Sequence, residues 1–343
     1  MSNLWKVLGK LQKKLIVSIP AAMVLGLLFG YFFETGFLKD LIVPFTFLMV
    51  YPMMVTLKVK ELLKRSDTKL QLTAQMINFA IIPFLGLAVG LLFFKDNPMV
   101  VLGILIASLL PTSGMTISWT GFSKGNVPAA VKMTVIGLIL GSVLTPVYIK
   151  FLMGTQVSVS LGEIFTQILF IVFLPLAAGV LTQFILVRRA GQESFERDIK
   201  PKFPMVSTIG VLAIVFISMA LKSRNIVGNP AILLYYLLPL IVLYGINFVM
   251  STVVGKLFFA KKDAIALVYG TVMRNLSIAL AIAMGVFKEQ GTDIALIISI
   301  AYIIQVQAAA AYVKLTGKIF KDSNPVLARK KKEPGNIAER ARN

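Results

Sequence analysis

Leu110-Pro-Thr-Ser-Gly-Met-Thr-Ile-Ser118 and Tyr269-Gly-Thr-Val-Met-Arg-Asn-Leu-Ser277 are two clusters of small and polar residues, each embedded in apolar sequence on both sides. The first is poor helix material. Proline removes a backbone donor and glycine adds conformational freedom, so a helix can break there. Inside lipid a break leaves amides and carbonyls without partners. It is tolerated where it lines a cavity, and there the freed backbone groups and half-helix ends can hold a solute or ion. We therefore expect interruptions at Pro111, Gly114 and Gly270; the milder alternative is a kink in a packed helix.

The surrounding composition makes lipid the relevant solvent. Of 343 residues, 57% are hydrophobic and 15% charged, against about 25% charged in soluble proteins, and the mean hydropathy is +0.84. So much apolar surface exceeds what one soluble core can bury. With no cysteine and no histidine, thiolate metal sites, disulfides, cysteine nucleophiles and imidazole acid–base chemistry are excluded. We expect no cofactor, no metal site and no enzymatic activity. The net charge of +20 fits basic cytoplasmic loops better than a nucleic-acid partner.

Ten apolar stretches follow in order: Leu15–Phe33, Leu38–Leu57, Leu72–Phe94, Met99–Phe122, Val127–Met153, Ile164–Val187, Met205–Leu221, Ile232–Phe258, Ala264–Phe287 and Ile294–Ile319. With the N-terminus in the cytoplasm, 28 of the Lys and Arg residues fall on inner segments and six on outer ones. That asymmetry predicts ten spans in the plasma (inner) membrane of the cell, with both termini cytoplasmic. The basic linker 188–204 is expected to separate residues 1–187 from 205–320 as two sets of five, followed by a disordered polar tail at 321–343 that touches anionic lipid. An odd number of spans per half forces the second half to enter from the opposite side, so repeats would be inverted. The expected fold class is thus an all-α polytopic membrane protein whose interrupted spans four and nine meet at mid-membrane.

Arg274 lies ten residues into the ninth stretch, about 15 Å along a helix and near the hydrocarbon centre. None of the 15 acidic residues lies mid-span, so the partner must be carbonyls, water or an anion. A guanidinium fork suits a substrate oxyanion or carboxylate; alternatively it is a strut on carbonyls freed by the break near Pro111. Thr112, Ser113, Thr116, Ser118, Asn275 and Ser277 are the candidate substrate-binding neighbours. Thr134, Gln75, Asn78, Asn247, Gln305 and Gln307 are further cavity candidates, although a lone hydroxyl often only bonds its own i−4 carbonyl.

These clusters are where the chain resembles the bile acid:sodium symporter superfamily, which includes the arsenical-resistance permeases. The resemblance is carried by Pro111, Met115, Trp119, Lys124-Gly-Asn126 and Thr145-Pro146, and by Asn275 with Leu276-Ser-Ile-Ala-Leu-Ala-Ile-Ala283, within about residues 10 to 320. It implies ten helices in a panel and a core domain, with crossed discontinuous helices four and nine. It also exposes departures. Thr112 stands where the arsenical permeases carry a metalloid-binding cysteine, and Ser277 where they carry a glutamate. Gly270 and Arg274 stand where the sodium-coupled branch has a glutamate and a glutamine, and Ile117 where it has an asparagine. Thr116 and Thr134 remain as oxygen donors. Arg274 is accordingly expected to supply the positive charge that sodium brings in relatives.

The leading expectation is a secondary transporter moving a small anion by alternating access, independent of sodium. An arsenite or metalloid efflux permease, a sodium-coupled organic anion symporter and a non-transporting membrane sensor or scaffold are the alternatives. No Walker-type loop is present to serve as a nucleotide motor.

Overall fold

The computed structural model describes residues 3–57, 67–154, 161–287 and 290–320; the tail 321–343 lies outside them. Among the described residues all regular structure is helical, save one isolated antiparallel bridge between Pro111 and Arg274. In chain order the helices are α1 (Asn3–Lys13), α2 (Leu15–Phe32), α3 (Ile42–Val55), α4 (Thr68–Met76), α5 (Ile82–Phe94), α6 (Pro98–Leu109), α7 (Gly114–Phe122), α8 (Val127–Met153) and α9 (Leu161–Ile168). There follow α10 (Leu174–Ala190), α11 (Gln192–Ser194), α12 (Lys202–Leu221), α13 (Ser223–Gly228), α14 (Ala231–Phe258), α15 (Lys261–Val272), α16 (Leu276–Val286) and α17 (Gly291–Ile319).

Seven helical rods among these residues are long and apolar enough to cross a bilayer, or eight if α1 and α2, bent by 96°, count as one. The fourth and ninth expected stretches are each two helices. α6, α7, α15 and α16 have 12, 9, 12 and 11 residues, each short of the roughly 20 that a span requires. The linker at 188–204 is largely helical, because α10 runs on to Ala190 and α11 continues through a π turn, Phe195–Ile199, towards α12. Six of the ten stretches precede that linker, since α9 and α10 form the sixth. Two sets of five stretches would accordingly part between α8 and α9, not at the basic linker.

Two bundles form the body. α2, α3, α10 and α12 pack together with α1 and α13 against them, and α4 to α8 pack with α14 to α17. Within the first bundle, glycine permits backbone-to-backbone approach: a Cβ on Gly210 would stand 2.5 Å from the Met49 amide nitrogen, and one on Gly30 2.1 Å from the Ala220 carbonyl. Ser207 Oγ donates to the Met49 carbonyl at 2.5 Å. α12 thus runs antiparallel to α3 and parallel to α2, which puts Leu57, after α3, and Lys222, after α12, at opposite ends. Leu92 and Phe151 stand largely exposed on the outer surface, where lipid is the apolar partner.

A π turn at Ile77–Ile81 joins α4 to α5. Its cause is local. Pro83 has no N–H for the Phe79 carbonyl four residues back, and the Tyr148 hydroxyl donates to that carbonyl instead. The extra residue in the turn carries Asn78 into the interior, where it is fully buried.

Candidate functional site

The two interruptions face each other and zip together. α6 stops at Leu109 and α7 starts at Gly114; α15 stops at Val272 and α16 starts at Leu276. Between them the Thr112 amide donates to the Met273 carbonyl and the Asn275 amide to the Leu110 carbonyl, both at 2.8 Å. One rung of antiparallel pairing thus satisfies donors and acceptors that a break in lipid would orphan. The Gln305 side chain on α17 completes the other edge: the Arg274 amide donates to its Oε1 at 2.7 Å, and its Nε2 donates to the Arg274 carbonyl at 3.2 Å. The Tyr244 hydroxyl fixes that amide by donating to the same Oε1 at 3.0 Å.

Each chain leaves its break through a cap. Ser113, fully extended at φ −157°, accepts from the Met115 amide, while its own amide donates to Thr116 Oγ1 at 3.0 Å. Asn275 Oδ1 accepts from the Ile278 amide at 3.2 Å. These are N-caps of α7 and α16. Thr112, by contrast, sits at φ +63°, a left-handed conformation strained for a β-branched residue. Its hydroxyl donates to the adjacent Pro111 carbonyl at 2.6 Å.

Arg274 is 2% exposed. Nη1 donates to the Ser108 carbonyl at 3.2 Å, and Nη2 to Asn78 Oδ1 at 2.8 Å and to the Thr271 carbonyl; Nε has no protein partner. Ser108 and Thr271 belong to the last turns of α6 and α15. The charge is therefore met by the negative ends of two helix dipoles and an amide oxygen, and no carboxylate among the described residues pairs with it. The same helix end is held from elsewhere: Asn78 Nδ2 donates to the Gly270 carbonyl at 3.0 Å and Asn247 Nδ2 to the Thr271 carbonyl at 3.1 Å.

A narrow cleft, with free space for about one water molecule, lies on the other side of the breaks. Its walls are Met53, Met54 and Leu57 from α3 and its end, Ser113, Gly114, Thr134, Leu138 and Asn275. Ser113 and Asn275, the caps of α7 and α16, are among its lining residues, so the positive N-terminal ends of both helices border it, while the surface it exposes is almost wholly apolar. The negative ends of α6 and α15 face Arg274. The site is electrically two-sided.

The sequence candidates distribute accordingly. Ser113, Thr134 and Asn275 line the cleft; Arg274, Asn78, Asn247 and Gln305 build the network behind it. Ser277 pairs with the Tyr302 hydroxyl at 2.7 Å, and Ser118 is exposed on α7 and bonds the Gly114 carbonyl at 3.2 Å. Gln75 keeps both amide atoms buried and without a hydrogen bond. Gly270 lies inside α15, not at its interruption; there a Cβ would meet Met133 Sδ at 2.4 Å, so helix packing accounts for the glycine. Met53, Met54, Leu57 and Leu138 had no polar signal to mark them. Among the described residues no three His, Cys, Asp or Glu side chains cluster as a metal site would require.

Spanning helices, two of them interrupted and paired beside a cleft, are the parts of a membrane transporter, and fold and site place this chain in that class. It belongs to the Sodium Bile acid symporter family, whose profile matches residues 43–229. Among its relatives, the arsenical-resistance protein Acr3 of Corynebacterium glutamicum is 24% identical over 299 residues, spanning 78% of this chain and 80% of that one. The uncharacterized sodium-dependent transporter YocS of Bacillus subtilis is 25% identical over 268 residues, covering 76% and 78%. Sodium/bile acid cotransporter 7 of Danio rerio is 26% identical over 192 residues, covering 53% and 54%.

Proposed function

We propose that the protein is a secondary transporter of a small anion, working by alternating access without sodium, with Arg274 as a built-in cation. The observation that carries this reading is the guanidinium held by Asn78 Oδ1 and the carbonyls of Ser108 and Thr271. Three oxygens of that kind suit a hard monovalent cation, and here a tethered positive charge takes that cation's place. The solute meets Ser113, Asn275, the ends of α7 and α16, and the apolar wall of Met53, Met54, Leu57 and Leu138. Arg274 raises the potential behind the caps; Thr112, Thr116 and Ser277 hold the shape of the breaks.

In this reading ten spans form an inverted repeat of five and five, with α6–α7 and α15–α16 as the matching broken helices. The protein sits in the inner membrane with both termini cytoplasmic. Alternating access draws support from the ends of the bundles. The cleft reaches Leu57, at one end. At the opposite end Lys222 Nζ and Asp293 Oδ1 pair at 2.7 Å, joining the end of α12 in one bundle to the first turn of α17 in the other.

The test is a stability screen of the purified protein against small organic and inorganic anions, with sodium or choline as counter-ion. Anions that raise the unfolding midpoint then go to counterflow in proteoliposomes. The reading expects stabilisation and counterflow that sodium leaves unchanged and that Ser113→Ala weakens about tenfold, the loss of one hydrogen bond to a charged solute. Anion counterflow that vanishes in choline would refute it. The arsenical-resistance names among the relatives favour a second reading, metalloid efflux. A chain without cysteine has no thiolate for a soft metalloid, and protection of an arsenite-sensitive host by this chain would establish that reading instead.

A further inference from the structure

α1 precedes the first apolar stretch as a separate helix. It leaves α2 at 96°, so if α2 crosses the bilayer, α1 lies along its surface. One side is anchored to the protein: Leu8 and Gly9 are buried, a Cβ on Gly9 would meet Met205 of α12 at 3.5 Å, and Lys202 lies 5.6 Å over the Trp5 ring. The other side is uncovered. Lys6, Lys10 and Lys14, four residues apart, are exposed, and beside them run Val7, 54% exposed, and Leu11, 36% exposed. α1 has no acidic residue. A stripe of lysines next to a stripe of apolar side chains, held in the membrane plane, fits the boundary between headgroups and acyl chains.

We propose that the outer face of α1, continued by Lys14 at the bend into α2, is a binding surface for anionic phospholipid, with Lys6, Lys10 and Lys14 on the headgroup phosphates and Val7 and Leu11 in the acyl region. Each lysine stem reaches upward from the apolar stripe to keep its ammonium at the phosphate level. Lysines near an anionic leaflet contribute one by one, so three in register form a graded, salt-sensitive contact. This inference is independent of the solute and of sodium, since it concerns the end of α12 remote from Lys222.

The full-length protein is placed in nanodiscs of phosphatidylcholine alone, with phosphatidylglycerol, or with phosphatidylserine, and its unfolding midpoint is read. Both anionic lipids are expected to raise the midpoint by about 3 °C. The Lys6→Gln/Lys10→Gln/Lys14→Gln variant should lose that rise while matching the parent in phosphatidylcholine, and the corresponding triple Arg variant should keep it. A control, Lys95→Gln/Lys150→Gln, removes charge from the opposite end and should keep it too. An equal rise in parent and Gln variant overturns the proposal, as does a loss in the control. Glycerol phosphate in solution producing the same rise in phosphatidylcholine discs would also overturn it, by assigning the surface to a free phosphate. If the Gln variant is unstable in every disc, lipid retention by native mass spectrometry of the Arg variant against Val7→Asn/Leu11→Asn decides. Equal retention of anionic lipid by those two would contradict the apolar half of the surface.

Discussion

Arg274 carries a charge to the centre of the molecule, and the answer to what balances it is two helix ends and one amide. Hydrogen bonds to charged groups contribute about 1.5–3 kcal/mol each, so Asn78, which bonds both Nη2 and the Gly270 carbonyl, is the side chain whose loss should be felt most. Asn78→Ala is expected to lower stability by about 2–3 kcal/mol, measured by unfolding in detergent, and Asn78→Asp to recover part of it by supplying a full charge. The depth of Arg274 was legible from its count into an apolar stretch. The identity of its partners was not. Asn78 faces it because of a π turn caused by Pro83, and Ser108 and Thr271 contribute carbonyls, which any residue type would supply. Sequence marks side chains, whereas this charge is held mainly by backbone.

At the scale of the elements, the two breaks differ in how the chain announces them. Pro111 and Gly114 make the first visible in composition. The second, at Met273–Asn275, contains neither proline nor glycine and is held open by pairing with the first and by Gln305, contacts 31 and more residues away. Gly270, the residue that drew attention there, belongs to α15. The first break also stores strain. Thr112 at φ +63° costs of order 1–3 kcal/mol, against about 1 kcal/mol contributed by its hydroxyl. Thr112→Gly, which relieves the first and forfeits the second, should therefore leave stability unchanged or raise it by up to about 2 kcal/mol. Thr112→Val keeps the strain and leaves carbonyls unpaired, so a loss of about 1–2 kcal/mol is expected. The comparison of their midpoints in thermal unfolding checks this, and a Gly variant worse than Val would remove the strain argument.

For the whole molecule, hydropathy and charge made the helical membrane fold legible, while the grouping into two bundles was not, because each bundle mixes early and late helices through contacts far apart in sequence. Alternating access at this scale requires two ends of unequal closure. The Lys222–Asp293 pair is partly exposed, with side chains 20% and 40% accessible, so it contributes about 1 kcal/mol at most. Lys222→Gln should then shift the balance of states about fivefold. In this cysteine-free chain, the shift is read as slower maleimide labelling of Leu57→Cys, and the swap Lys222→Asp/Asp293→Lys should restore the rate. Whether Arg274 fills the place of a cation is read from the unfolding midpoints of the parent and of Arg274→Gln in sodium chloride against choline chloride at equal ionic strength. The parent should be indifferent to the cation, and Arg274→Gln, with its oxygens freed, should gain about 3 °C in sodium alone. A parent stabilised specifically by sodium, or a variant blind to it, would contradict the account.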